Sequence, residues 1–191
     1  MAPFLETDLR YSLKGLVATQ CQHTLVVEEF GVERGGARID LALIANDLHG
    51  YEIKSDLDNL DRLRFQIHAF NRVFDRISLV VGNRFARVVE AVIPAWWGIL
   101  RAIRGLDGSV TLAPVRPASQ NLMQDPYSVA ALLWKDEVLS ILSQLTQGAR
   151  RFSSTWNKDR LYSALADSVP LDTLRIEVAA KLRLRRDWRT P

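Results

Sequence analysis

An α/β fold is what the sequence predicts: a helix, three strands, a second helix and a fourth strand, followed by a helical extension. Three observations lead there. Apolar residues recur at helical spacing over residues 5–19. Three β-branched, apolar runs (24–30, 37–45 and 48–55) then follow one another across short polar or glycine-rich breaks. After them the period changes back to that of a helix, and a short buried-type run, Ile77-Ser-Leu-Val-Val, closes the unit.

Taken in order, the first helix carries Leu5, Leu9, Leu13, Leu16 and Val17, with Thr7 placed to cap it. The run from Thr24 is broken by Gly31, Gly35 and Gly36, and Asn46-Asp47 supplies the turn between the second and third strands, so the three form an antiparallel meander. Leu60, Leu63, Ile67, Phe70 and Phe74 share one face of the second helix, which Asp58 or Asn59 can cap and Asp75 ends. A strand reached through a crossover helix joins the same sheet parallel to an earlier strand, which places 77–81. Residues 85–93 read as helix stopped by Pro94, and 96–103 as a fifth strand, with Trp96 and Trp97 facing opposite ways. Residues 110–115 return as a hairpin partner through Gly105-Leu-Asp-Gly108. A polar connector, 116–126, precedes one apolar helix of about five turns, 129–145. Two shorter helices follow, about 156–167 and 171–186. The chain thus divides into a core, 1–116, and a helical extension with a basic C-terminus, 117–191.

Composition narrows the class further. Cys21 is the only cysteine, so neither a disulfide nor a cysteine zinc site can form within one chain, and His23, His49 and His68 have no metal-site spacing. No stretch approaches the roughly 18 apolar residues of a membrane helix. Glu6 and Asp8 stand where a secretory leader would want lysines, so a cytoplasmic protein without membrane contact is expected. The net charge is +3, but residues 1–149 carry 15 Lys and Arg against 17 Asp and Glu, while residues 150–191 carry 10 against 5. That C-terminal excess suits a polyanion, with Arg183, Arg185 and Arg186 as nucleic-acid contacts; a solvated basic tail is the plainer alternative. The stripe Leu171, Leu174, Val178 and Leu182 could equally join two copies or a partner protein. Gly31-Val-Glu-Arg-Gly-Gly lacks the Lys and Ser/Thr of a phosphate loop and reads as a hairpin turn.

The chemically informative stretch is Arg38-Ile-Asp40-Leu-Ala-Leu with Gly50-Tyr-Glu52-Ile-Lys54-Ser. Strand alternation puts Glu52 and Lys54 on one face and Tyr51 and Ile53 on the other, and sets Asp40 opposite to Ile39 and Leu41. Paired through the Asn46-Asp47 turn, Asp40 and Glu52 converge. Two carboxylates and an ammonium in an apolar sheet need neutralising, and a divalent cation with oxygen ligands, Mg²⁺ or Mn²⁺, is the natural remedy. Such an ion activates water and offsets charge on a phosphate, while Lys54 can orient the attacking water; together they make a kit for phosphodiester hydrolysis. The spacing alone recurs widely, and an exposed sheet face with ordinary surface charges is the alternative.

With that element order, Asp40 and Glu52-x-Lys54 resemble the PD-(D/E)XK nuclease superfamily over about residues 5–83, with Ile39 where the family name has proline. A closer resemblance is to a little-characterised bacterial and phage branch. It rests on Val26-Val-Glu-Glu29-Phe-Gly, Ala37-Arg-Ile-Asp40-Leu-Ala, His49-Gly-Tyr-Glu-Ile-Lys-Ser-Asp56, Asp58-x-x-x-Arg62-Leu-x-x-Gln66, Pro94-x-Trp-Trp-Gly98 and the helical tail from Leu132. The resemblance implies a restriction-endonuclease-like core and a metal-dependent deoxyribonuclease active in repair, recombination, phage or defence. It further implies Mg²⁺ held by Glu29, Asp40 and Glu52, catalysis by Asp40, Glu52, Lys54 and Gln66, and a phosphate contact from Arg62. Glu6 is a weaker acidic candidate, and Arg62 can instead pair with Asp58. Two alternatives stand beside this: a non-catalytic nucleic-acid- or partner-binding module on a nuclease-like fold, and a nuclease subunit active only with a helicase or other partner.

Overall fold

A computed structural model of the chain describes residues 2–20, 24–145, 152–185 and 188. The elements are α1 (Glu6–Gln20), β1 (Leu25–Val32), β2 (Ala37–Ile44), β3 (Leu48–Lys54), α2 (Leu63–Asn71), β4 (Arg76–Val81), β5 (Gly98–Arg104), β6 (Val110–Arg116), α3 (Pro126–Ala130), α4 (Lys135–Leu145), α5 (Lys158–Ser168) and α6 (Leu171–Leu184). The six strands form one mixed sheet in the order of the sequence. β1, β2 and β3 run antiparallel, β3, β4 and β5 parallel, and β5 and β6 antiparallel. The meander, the crossover through α2 and the closing hairpin therefore all follow from local period and turn chemistry.

Each sheet face is covered differently. On one, Leu9, Leu13 and Val17 of α1 bury Leu41, Leu43, Tyr51, Ile53 and Val80. On the other, α2 and the four C-terminal helices share a single apolar cluster, which runs from Phe30, Ile39, Ile77 and Leu79 to Val129, Ile141, Leu165 and Leu182. The helical residues after 125 thus extend the sheet's own core, each fully buried Leu or Val contributing about 1.5–3 kcal/mol.

Some segments differ from their sequence expectation, each for a visible reason. Gly31 does not break β1; the turn falls at Glu33–Gly35, where Glu33 and Arg34 take positive φ. Residues 85–93 do bury Phe85, Val89 and Ile93 at helical spacing, yet form turns and a short 3₁₀ segment, Val89–Ala91. Trp96 and Trp97 precede β5; Trp97 is fully buried and donates from Nε1 to Asn71 Oδ1 at 2.8 Å. α2 starts at Leu63 because Asp58 serves a turn instead, accepting from the Ser55 N–H and Oγ at 2.7 and 2.8 Å. The expected five-turn helix is two, α3 and α4, with Glu137 reaching back to the Trp134 N–H at 2.7 Å to start the second.

Asp125 caps α3: its carboxylate accepts from the Ser128 N–H and Oγ (3.1 and 2.7 Å) and meets Arg72 Nη2 at 2.6 Å. Asp125→Ala is expected to lower stability by about 1–2 kcal/mol, read as a shift in the urea midpoint, whereas Asp125→Ser should restore about half. An unchanged midpoint in the alanine variant would show that the cap contributes nothing.

Candidate functional site

The site originates in a shared irregularity of β1 and β2. In an unbroken strand Ile39 and Leu41 would share a face. Here Ile39 lies in the cluster under α2 and Leu41 in the cluster under α1. β1 shifts in the same way: Glu28 turns toward Lys14 of α1 (2.5 Å), while Phe30 joins the cluster under α2. Between them Glu29 takes a φ of 53°, a left-handed conformation that a non-glycine residue seldom adopts, and the pairing steps from Glu28↔Leu41 to Phe30↔Ile39. Asp40 therefore does not simply oppose two like-facing neighbours, as alternation predicts; it marks the point where the strand changes phase. Gly50 makes this possible, because a Cβ there would sit 2.4 Å from Ile39 Cδ1. The β2–β3 ladder stops at Leu41↔Tyr51, and beyond it Asp40 Oδ2 takes over, accepting from the Ile53 N–H at 2.7 Å.

On β3 alternation holds. Tyr51 and Ile53 enter the α1-side core, and Glu52 and Lys54 face α2. Lys54 Nζ donates to Glu52 Oε1 at 2.7 Å, and Gln66 Nε2 of α2 donates to the same oxygen at 2.6 Å. Glu52 is only 3% exposed, and its Oε2 and the Gln66 Oε1 are buried without a hydrogen-bond partner. Such an atom costs on the order of 1–3 kcal/mol. Burial pushes the Glu52 carboxyl up to about 7, the Asp40 charge adds to that, and Lys54 and Gln66 oppose it. Burial also raises Asp40, against the pull of the Ile53 N–H and of Arg10.

Arg10 is the residue that sequence reasoning missed. From α1 its Nη2 reaches Asp40 Oδ1 (2.8 Å), Glu29 Oε1 (3.0 Å) and Glu6 Oε1 (2.8 Å), and its Nη1 the Asp40 carbonyl oxygen (3.1 Å). Its i,i+4 relation to Glu6 was legible; its relation to Asp40, 30 residues on, was not. Glu29 is held from its other side by Arg38 Nε at 2.9 Å. The chain's own cations thus neutralise the carboxylates for which a divalent ion was expected. Among the described residues no three His, Cys, Asp or Glu side chains gather to hold a metal ion.

Asp40, Glu52 and Gln66 line an open cavity of about 710 Å³, together with Glu29, Arg38, Asp61, Arg62 and Phe65 and the glycines of the β1–β2 turn. Arg62, Phe65 and Gln66 fall at i, i+3 and i+4 along α2, so they share one face above it. Arg62 is exposed, and among the described residues no carboxylate pairs with it; Asp58 instead accepts from Ser55. Phe65 is 58% exposed, an unusual place for a phenyl ring. The C-terminal arginines lie elsewhere. Arg185 is taken up internally, bonding Glu137 at 2.5 and 2.8 Å with its guanidinium over Trp134 and Trp188. Arg183 is exposed, 3.4 Å from Asn46 Oδ1, and Arg186 lies outside the described residues, as do Cys21 and His23.

Fold and site together define a mixed α/β protein, six strands deep in helices on both faces, with an arginine-compensated acidic cavity at the point where its sheet splays. A family model described as "Bacteriophage P4 protein cII" matches residues 12–188, and the chain belongs to that family. Protein cII of Enterobacteria phage P4 is 25% identical over 160 residues, covering 84% of this chain and 59% of that protein; the chain spans about three-fifths of the length of this curated relative. No solved structure matches. Membership in the cII family overturns the resemblance to PD-(D/E)XK nucleases, and with it the expected deoxyribonuclease activity, the enzyme class and the metal-binding hydrolase description. Among the described residues no helix is long and apolar enough to cross a membrane.

Proposed function

We propose that this chain is a non-enzymatic regulatory protein that binds single-stranded nucleic acid across the mouth of the cavity. The observation that carries the reading is the exposed Phe65, one helical turn from Arg62, which is exposed and joined to no carboxylate among the described residues, on the lining of a cavity that also holds Arg38, itself paired with Glu29. A ring that can stack on a base, flanked by cations that can meet phosphates, is the combination single-strand binding uses. The splayed sheet and the crossover to β4 support a restriction-endonuclease-like scaffold for the core, as a likeness of topology without hydrolysis. On this reading the site works without Mg²⁺, since Arg10 and Lys54 already neutralise Asp40 and Glu52. Calorimetry with Mn²⁺ should then give no heat of binding.

The test is fluorescence anisotropy with a labelled single-stranded oligonucleotide at several salt concentrations. Phe65→Ala is expected to weaken binding about tenfold, in line with a stacking contribution of roughly 1–3 kcal/mol per base. Arg62→Ala should flatten the dependence of log affinity on log salt by about 0.7. Since both side chains are exposed, neither variant should unfold. Absence of binding at low salt, or full affinity in Phe65→Ala, would remove the proposal.

A further inference from the structure

We infer that a strand seated at the cavity mouth continues along the carboxyl-terminal edge of β3, β4 and β5, where five arginines meet its phosphates; this path rests on the single-strand binding proposed above. Up to the end of β5 at Arg104 the chain carries 13 Lys and Arg. Among the described residues eight of them meet a carboxylate and five do not. The five are Arg62, Arg64, Arg84, Arg87 and Arg101, and each is exposed. They are not scattered. Arg62 and Arg64 follow β3 at the start of α2, Arg84 and Arg87 follow β4, and Arg101 stands on β5 beside Val81, the last residue of β4. Because these three strands run parallel, all five arginines fall at one edge of the sheet. At the opposite end, Arg76 opens β4 and is paired with Asp47 at 2.8 Å.

The acids of this edge do not cancel the line. Asp56 accepts from the backbone N–H groups of Phe4 and Arg84, both at 2.8 Å, and Asp58 is held by Ser55. The Arg84 guanidinium meets only the carbonyl oxygens of Asp56 and Asp58, at 3.1 and 2.9 Å, which fixes it at the surface and keeps its charge. Two exposed acids, Asp61 and Glu90, stand against the five cations. Arg101 Nη2 reaches Asn83 Oδ1 at 3.2 Å, so the end of β5 is tied to the loop that carries Arg84. The line ends at a recess of about 180 Å³ whose lining includes Asn83, Arg101 and Arg104. It begins at Arg62, which also lines the larger cavity beside Phe65, so a strand stacked there has its backbone at the first cation. Crossing from β3 to β5 takes only about 10 Å. Open parallel sheets bind ligands outside the carboxyl ends of their strands, and a positive track beside a stacking ring is how single strands are held.

The experiment measures binding of oligothymidylates of about 4, 8 and 12 nucleotides to the full chain, by fluorescence anisotropy across several salt concentrations. Affinity and salt slope are expected to rise together with length, as added phosphates reach the edge. The double variant Arg87→Ala with Arg101→Ala should bind the longest oligonucleotide roughly tenfold more weakly and flatten its salt slope by about 1.4, or roughly 0.7 for each lost phosphate contact. The double variant Lys14→Ala with Arg76→Ala removes the same charge away from this edge and should keep the parental slope. A longest oligonucleotide bound no more tightly than the shortest, or equal losses in the two double variants, would overturn the path while leaving binding at the cavity standing. No binding of any length at low salt would overturn the underlying reading as well. Anionic phospholipid vesicles bound through Arg87 and Arg101, with no dependence on oligonucleotide length, would assign the edge to a lipid surface and also overturn the path.

Discussion

Arg10→Ala is expected to lower the stability of the protein by about 2–4 kcal/mol at pH 7, because it leaves Asp40 and Glu29 without their shared cation. The guanidinium also meets Glu6 and Glu28, so four carboxylates would border the space it vacates. Arg10→Lys should recover only part of the loss, since an ammonium cannot span Asp40, Glu29 and Glu6 as a planar fork does. The deficit depends on the charge of those acids. Burial raises the Asp40 carboxyl, so its charge is lost on acidification and the deficit should be smaller at pH 4 than at pH 7. Urea unfolding at both pH values measures this directly, and a pH-independent deficit would mean that Arg10 matters for packing, not charge.

Glu52→Gln should act in the opposite direction. A carboxyl whose folded value is about 7, against an ordinary 4.5, binds its proton more tightly in the folded chain. The stability that this group contributes is therefore complete below about 4.5 and is lost as the pH rises through 7. Glutamine removes that loss. The variant should match the parent below pH 4.5 and exceed it by on the order of 2 kcal/mol at pH 8. Equal stability of the two proteins at pH 8 would show that Lys54 and Gln66 fully compensate the buried charge.

These two residues also show how far the site could be read in advance. Glu52 and Lys54 were placed correctly because strand alternation fixes side-chain direction within three residues, and no distant contact is needed to decide it. Gln66 was reachable for a similar reason, lying beside the apolar stripe of a helix already evident from Leu63 and Phe70. Asp40 was only half legible. Its convergence with Glu52 followed from the meander, but the change of phase at Ile39-Asp40-Leu41 depends on the left-handed Glu29 across the ladder and on the space left by Gly50. That α1 brings Arg10 to the same carboxylate lay beyond local reading, whereas the nuclease reading itself is overturned by the family match.

The C-terminal charge teaches a related lesson. Counted along the chain it promises a basic surface, yet Arg185 lies between two tryptophans on Glu137, Arg175 bonds Gln124 at 3.0 Å, and Lys181 bonds Ser140 at 2.9 Å. Composition counts cations and cannot see which of them are already paired.

By itself, then, the sequence determined the period of each long element, the antiparallel meander and its crossover, and the facing of Glu52 with Lys54, since each is settled by steric alternation or turn chemistry within about a dozen residues. Only the tertiary structure decided that α1 would bring Arg10 to Asp40, that β1 and β2 would step out of phase together, that residues 129–145 would break into two helices, and that Phe65 would stay in solvent. Those outcomes depend on which surfaces meet after the chain has closed on itself, where burial and charge compensation outweigh local preference.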